Sequence, residues 1–327
     1  MDQPLISRRT AAHKSALALF AALGGAWVFV LVTLGAFTTS IGAGMAFPDW
    51  PLSNGSLNPE GWLQNLSMFA EHSHRLTGSM MGIITLVLAV WLWRTEARRW
   101  LRALGWWALG IVVLQGVLGG TRVLLDHVAV PGFQMSLGQM LRVPHGVLAQ
   151  LYICLLIAIA VSLTKSWMQR PLLVGNRVRL VGVICCGLML LQLIIATTMR
   201  HNAAGLAIRT FPYSTPEGGW LPTHWDFRVA LHFAHRLMAL VLAFALTVFA
   251  LVVRRDRQAS MAMRAAASAL ISLMVLQILL GMEIIRTFRQ PNMTTSHVLV
   301  GALLFALTFW LTWVAHRDRI EDSPAAP

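Results

Sequence analysis

Charged side chains are scarce in this 327-residue chain. Asp, Glu, Lys and Arg together make up 12% of it, where a soluble domain carries about a quarter. So little charge argues against a water-soluble enzyme or binding module and places the chain in the membrane class. Cysteine is also rare: Cys154, Cys185 and Cys186 all lie in apolar stretches, and two of them are adjacent. Neither a structural disulfide nor a Cys-based metal site is expected, and the three read as small apolar fillers of helices. A compact basic patch is missing too. The formal net charge is +13, but the cations stand in short clusters between long apolar runs. That is the layout of a polytopic membrane protein in contact with lipid, not of a nucleic-acid binder.

What the chain has in abundance is hydrophobicity, 57% of residues with a mean hydropathy of +0.65. Apolar runs recur at about 16–38, 67–93, 103–125, 139–164, 179–200, 229–253, 264–286 and 295–315. Crossing the hydrocarbon takes about 20 residues, so each run reads as a transmembrane helix. The first follows Arg8, Arg9 and Lys14. It lacks the short core and cleavage site of a signal peptide, so it is expected to be retained. Connections on one side are Arg94 to Arg102, Lys165 to Arg179 and Arg254 to Arg264. Together with the N-terminal segment and Arg317 and Arg319, they hold 17 of the 26 Lys and Arg. The positive-inside rule then places both the N- and C-termini in the cytoplasm of a cell inner-membrane protein. The long connections on the other side, about 39–66 and 201–228, are rich in Gly, Pro and Trp. They are expected to pack over the outer ends of the helices. The tail from Glu321 to Pro327 is polar and expected to be disordered.

The chain repeats itself. Gly44 to Pro51 resembles Gly205 to Pro212 at an offset of 161, and the same offset carries His74-Arg75 onto His235-Arg236. Leu114-Gln115 with Leu118-Gly119 recurs as Leu276-Gln277 with Leu280-Gly281, and His145 falls opposite His297 after a shorter loop. The expected fold is therefore an all-α integral membrane protein of eight transmembrane helices, built as two repeat-related four-helix bundles, residues 1–165 and 166–327. With four spans each, the halves run parallel about an axis along the membrane normal.

Four of the eleven histidines occupy matched places: His74, His145, His235 and His297. Each lies within roughly the first two turns of a span entering from the outer side, so all four share one depth. One pair per bundle is the arrangement that axial haem ligation needs. A lone intramembrane histidine is commonly a hydrogen-bonded polar residue between helices. Four at matched depth favour ligation, because polar groups in lipid are costly. Structural zinc would call for a tetrahedral set with Cys or carboxylate nearby. Gly78 and Gly82, and Gly116, Gly119 and Gly120, could let a flat macrocycle approach the backbone, or serve ordinary helix packing. Arg75 and Arg236 each follow a proposed ligand near the aqueous edge, where an Arg can pair with a propionate. The halves differ three residues before the first ligand, where Glu71 stands in one and His232 in the other. A carboxylate beside one iron only suggests that the first half does chemistry, with Glu71 accepting a proton or stabilising a cation.

At these residues the chain resembles the haem A synthase family over nearly its whole length. The motifs are Gly44 to Pro51 ending in Pro-Asp-Trp-Pro, Glu71-His72-Ser73-His74-Arg75, and Leu114-Gln115-Gly116-Val117-Leu118-Gly119. They continue with His145 and Ala149-Gln150, Arg200-His201 through Ala204 to Ile208, His235-Arg236, and His297 with Gly301 to Leu304. The resemblance implies conversion of haem O to haem A by successive hydroxylations of the C8 methyl to a formyl group. It implies that His74 and His145 hold the substrate haem O, and that His235 and His297 ligate a haem b that passes electrons. Glu71 would be the functional carboxylate, and a haem O synthase the upstream partner. Three features depart from the family pattern. The first outer loop has no cysteine pair, His72 stands where an aromatic is usual, and His232 is an added polar neighbour. His224 reads as a solvated loop residue. A di-haem b-type electron carrier or quinol-linked cytochrome would also use paired histidines, but Glu71 and the motifs favour the enzyme. A transporter would need polar or broken helices at the midplane, which is almost purely aliphatic here. The sequence leaves a homo-oligomer open.

Overall fold

The computed structural model describes residues 10, 12–132, 134–169 and 174–321. Arg8, Arg9, Arg170 and the tail beyond Glu321 lie outside the described residues. The eight apolar runs fold as α1 (Ser15–Ser40), α2 (Leu66–Thr95), α3 (Arg99–Leu124), α4 (Leu137–Ser162), α6 (Asn176–His201), α7 (Phe227–Arg255), α8 (Met261–Arg286) and α9 (Pro291–Ala315). Each is long and apolar enough to cross a membrane. Two five-residue helices outside the apolar runs, α5 (Lys165–Gln169) and α10 (Arg317–Glu321), complete the set with a 3₁₀ turn at Ala204–Leu206.

Polar residues ahead of the apolar runs set several starts. The Asn65 side chain accepts the N–H groups of Ser67 and Met68 at the head of α2. Ser136 and Gln139 form a reciprocal capping box on α4, and Asp226 and Ser260 cap α7 and α8. Such caps satisfy N–H groups that have no partner within the helix.

Helices α1 to α4 pack in a ring, each on its chain neighbour and α4 back on α1, and α6 to α9 do the same. The halves meet where α1 touches α9, α6 touches α4, and α4 touches α9. The first two contacts exchange under a half-turn that swaps the repeats, and the third lies on that axis. Each half has its own apolar core. One centres on Phe249, Leu246, Met263 and Leu311. The other centres on Leu17, Met81, Leu92 and Ile159, and also takes in Ala302 and Ala306 of α9. The two long connections, 41–65 and 202–226, leave the same end of the molecule, called the loop end below. Ser15 at the start of α1 and Ala315 at the end of α9 are at the opposite end.

Candidate functional site

The four matched histidines come together as two pairs near the loop end. His74, His145 and His235 are the ninth residues of α2, α4 and α7, and His297 is the seventh of α9. At a rise of 1.5 Å per residue they lie about 9–12 Å down their helices. In the second half the His235 and His297 ring centroids are 6.4 Å apart. Two imidazoles on opposite sides of one iron, each bonded at about 2 Å, put their ring centres about 6.3 Å apart, so the spacing of this pair is that of two ligands sharing an iron. In the first half, His74 and His145 are neighbours within electrostatic reach of each other. All four histidines are partly buried. Among the described residues no three His, Cys, Asp or Glu gather as a metal cluster.

The rings are oriented from the facing helix. His74 Nδ1 lies 3.2 Å from the carbonyl oxygen of Leu31 on α1, and His297 Nδ1 lies 3.1 Å from that of Gln277 on α8. At His74 an Nδ1–H that donates to a carbonyl leaves Nε2 as the nitrogen free to ligate, whereas at His297 Nε2 is itself met by the Gln277 amide. Glycines make the approach possible. A Cβ on Gly35 would stand 2.7 Å from His74 Cε1, and one on Gly119 or Gly281 would stand 3.2 Å from His145 or His297 Cε1. Three glutamines complete the setting. Gln115 donates to the His145 carbonyl at 2.9 Å, Gln192 meets both Nδ1 and the carbonyl of His235 at 3.1 Å, and the Gln277 amide meets His297 Nε2 at 3.2 Å. Of the glycines expected to admit a macrocycle, Gly82 and Gly116 have open space on their Cβ side, and Gly78 has Leu31 at 3.8 Å. Gly119 lies under His145, and Gly120 lies under the indole of Trp50.

Arg75 and Arg236, expected to meet propionates, are engaged elsewhere. Arg75 donates to the carbonyls of Phe47, Asp49 and Leu52 at 3.1, 2.8 and 2.6 Å. Arg236 donates to those of Ile208, Thr210 and Tyr213 at 3.1, 2.7 and 3.3 Å. These are the same three positions of the repeat. Glu71 and His232 are matched in the same way. Glu71 Oε2 accepts the Phe47 N–H at 3.2 Å and Oε1 pairs with Arg75 at 2.7 Å. His232 Nδ1 accepts the Ile208 N–H at 3.2 Å, and its Nε2 lies 3.3 Å from Arg236 Nε. A neutral imidazole accepts at one nitrogen only, so the main-chain bond and the Arg236 contact cannot both be full hydrogen bonds. In each half a buried side chain and its i+4 Arg therefore latch a loop at the end of the bundle that carries the histidine pair.

The first loop is braced further. Asp49 accepts the N–H groups of Asn54 and Gly55 at 2.7 and 2.8 Å. Those two residues have φ of +51° and +72°, and glycine takes such a left-handed conformation most readily. Burial works in the other direction, but these donors hold the Asp49 carboxyl below its ordinary value. His72 is buried under this loop, with Nδ1 3.0 Å from Ser53 Oγ and its ring against Trp62. Both His72 and His232 thus serve the loops. His224 is exposed.

Side-chain patterning had assigned no role to the glutamines or to the main-chain partners of the two arginines. The repeat could have pointed to Gln115 and Gln277. It could not point to Gln192, whose counterpart is Leu31.

Fold and site together define a polytopic α-helical membrane protein with a histidine pair in each of two repeat-related bundles, both near one end. The chain belongs to the cytochrome oxidase assembly protein family: the COX15-CtaA family model matches residues 18–309, which bears out the resemblance read in the sequence. A relative from Bacillus licheniformis named "Heme A synthase" is 29% identical over 304 residues, covering 90% of this chain and 94% of the relative. Relatives of the same name from Geobacillus kaustophilus and Shouchella clausii are 26% and 23% identical. They cover 92% and 90% of this chain, and 92% and 95% of their own lengths.

Proposed function

We propose that this protein is a haem A synthase, an oxidoreductase that converts the C8 methyl of haem O to a formyl group. Two successive hydroxylations, each a two-electron oxidation of the substrate carbon by an external oxidant with entry of one oxygen atom, take the methyl to an alcohol and then to a geminal diol, and loss of water leaves the aldehyde. The observation that carries the reading is the imidazole pair in each bundle, with the 6.4 Å separation of His235 and His297 as its measure. Membership of the family and the relatives' names supply the reaction.

The first half, 1–165, is the substrate bundle and the second, 166–327, the cofactor bundle. His74 and His145 grip and orient haem O, and His235 and His297 hold a haem b, which supplies electron transfer when bound. Arg75 and Arg236 serve the two porphyrins indirectly, by holding the loops above them. Trp50, seated on Gly120, closes the first pocket and excludes water. Glu71 is the acidic group of the substrate half. Its carboxylate opposes positive charge that develops on the substrate during oxidation, and it receives a proton there. The termini lie in the cytoplasm and the pockets towards the periplasm, as the basic connections require. The chemically necessary partner is the enzyme that supplies haem O.

The test is expression with a haem O source followed by haem extraction. Wild type yields haem A. Glu71→Gln keeps haem b but falls at least about 100-fold in haem A output, the scale of a lost general acid–base group. Haem b with unchanged haem O from wild type would mean an electron carrier, and full output from Glu71→Gln would remove the carboxylate from the mechanism.

A further inference from the structure

We propose that Arg122 and Arg142, with His201 beside them, form the seat for the carboxylates of the porphyrin held between His74 and His145. The inference rests on the haem reading above and adds the group that orients the substrate in its plane. With the Arg75 guanidinium taken up by loop carbonyls and Glu71, the carboxylates need other cations.

Position on the helices selects these three residues. Arg142 precedes His145 by three residues on α4, and Arg122 follows Gly119, which lies under His145, by three on α3. The i, i+3 spacing puts each on the face of the pocket, one turn, or about 5 Å, nearer the loop end. The start of α4 is fixed against the end of α3, since a Cβ on Gly138 would stand 2.6 Å from Asp126 Cα. His201 arrives from the other half. The helices α4 and α6 run antiparallel and touch where a Cβ on Gly146 would meet Thr197 at 3.2 Å. One turn further towards the loop end, α4 carries Arg142 and α6 carries His201.

The cations are held but not satisfied. Arg122 donates to the Gly44 carbonyl at 3.0 Å and forms no ion pair among the described residues. A Cβ on Gly44 would stand 3.1 Å from its Nη2, so the glycine lets the guanidinium lie on the loop backbone. Arg142 pairs with Asp126 through Nη2 at 2.7 Å, but its Nε is buried with no partner. A buried donor left unpaired costs free energy that an incoming carboxylate recovers. Arg122 and Arg142 stand within electrostatic reach of each other, with the carboxylates of Glu71 and Asp126 also in reach of Arg122 and His201 close by; the two guanidiniums together suit a dianion. In the other half the corresponding positions are Ile284 and Thr294. The seat therefore belongs to the bundle whose porphyrin must arrive and leave.

The seat is tested by titrating the purified full-length protein, second site loaded, with hemin as the free diacid and as its dimethyl ester. First-site binding is followed by the bis-imidazole absorption spectrum. Wild type binds the diacid more tightly than the ester. Arg122→Gln and Arg142→Gln each weaken the diacid by about 10- to 100-fold, the scale of a lost charged hydrogen bond, and leave the ester unchanged. Arg142→Lys restores part of the difference. Asp126→Asn, which frees Arg142 Nη2, tightens the diacid alone, a gain that misfolding cannot produce. Equal affinity of wild type for diacid and ester, with a normal bis-imidazole spectrum, overturns the seat alone. So does equal weakening of both ligands in the Arg variants. Absence of any His74-dependent spectrum in wild type overturns the haem reading itself and the seat with it.

Discussion

The two pairs of imidazoles differ in how firmly they are held. His74 has a single main-chain carbonyl, that of Leu31, while His235 has the Gln192 amide on both its ring and its carbonyl. Leu31 and Gln192 are repeat counterparts, so the difference lies in one side chain. A partner that fixes a ligand ring is worth about 10- to 100-fold in metal affinity. Gln192→Leu is accordingly expected to release haem from the second site to apomyoglobin about 10-fold faster or more, with the first site unchanged. Equal release from both variant and wild type would show the amide to be idle. The four paired histidines were legible in the sequence because the repeat marks them twice. Gln192 was not, because what it does is visible only through its absence from the other half. The functions of Arg75 and Arg236 were hidden for another reason: their partners are carbonyl oxygens, which every residue carries.

At the level of elements, spans follow hydropathy closely, and their ends follow chemistry that hydropathy ignores. The read boundaries fall within a few residues of the helices. All eight starts lie further out than the apolar runs, and four of them are capped by Asn65, Ser136, Asp226 and Ser260. Helices α5 and α10 were not legible, being too short to show a period. The loops were expected to cover the helix ends, and the structure adds the means, a latch repeated in both halves. Charged hydrogen bonds contribute about 1.5–3 kcal/mol each. Arg236→Leu should therefore raise amide exchange across 208–213 by at least about 10-fold while the transmembrane helices stay protected. Arg75→Leu should do the same across 47–53. Exchange unchanged in both loops would mean that they are held by packing alone.

Across the whole molecule, the end opposite the pockets ties the halves by charge. Glu96, fully buried, receives Arg98 Nε at 3.0 Å and faces Lys14 Nζ at 3.8 Å. Arg98 also reaches Glu321 at 3.0 Å, and Glu321 meets the Trp167 indole. Burial alone would raise the Glu96 carboxyl, but Arg98, with Lys14 adding, holds it below its ordinary value. A lowered value means that the unfolded chain binds the proton more readily. The stabilisation is then complete above the ordinary carboxylate value of about 4.3 and fades as pH falls through the lowered one. Wild type in detergent should lose thermal stability on acidification through that window. Glu96→Gln should start lower, by on the order of 3 kcal/mol, and show a flatter acid limb. Identical acid limbs would remove Glu96 from the junction.

The contacts of α1 with α9 and of α4 with α6 are equivalent under the half-turn that relates the repeats. That is the geometry of a two-fold pair of subunits, carried here on one polypeptide. Two identical subunits could not give their two histidine pairs separate tasks, since any mutation would alter both. Fusion removes that constraint. Leu31 against Gln192, Glu71 against His232 and Arg122 against Ile284 are differences that identical subunits could not keep.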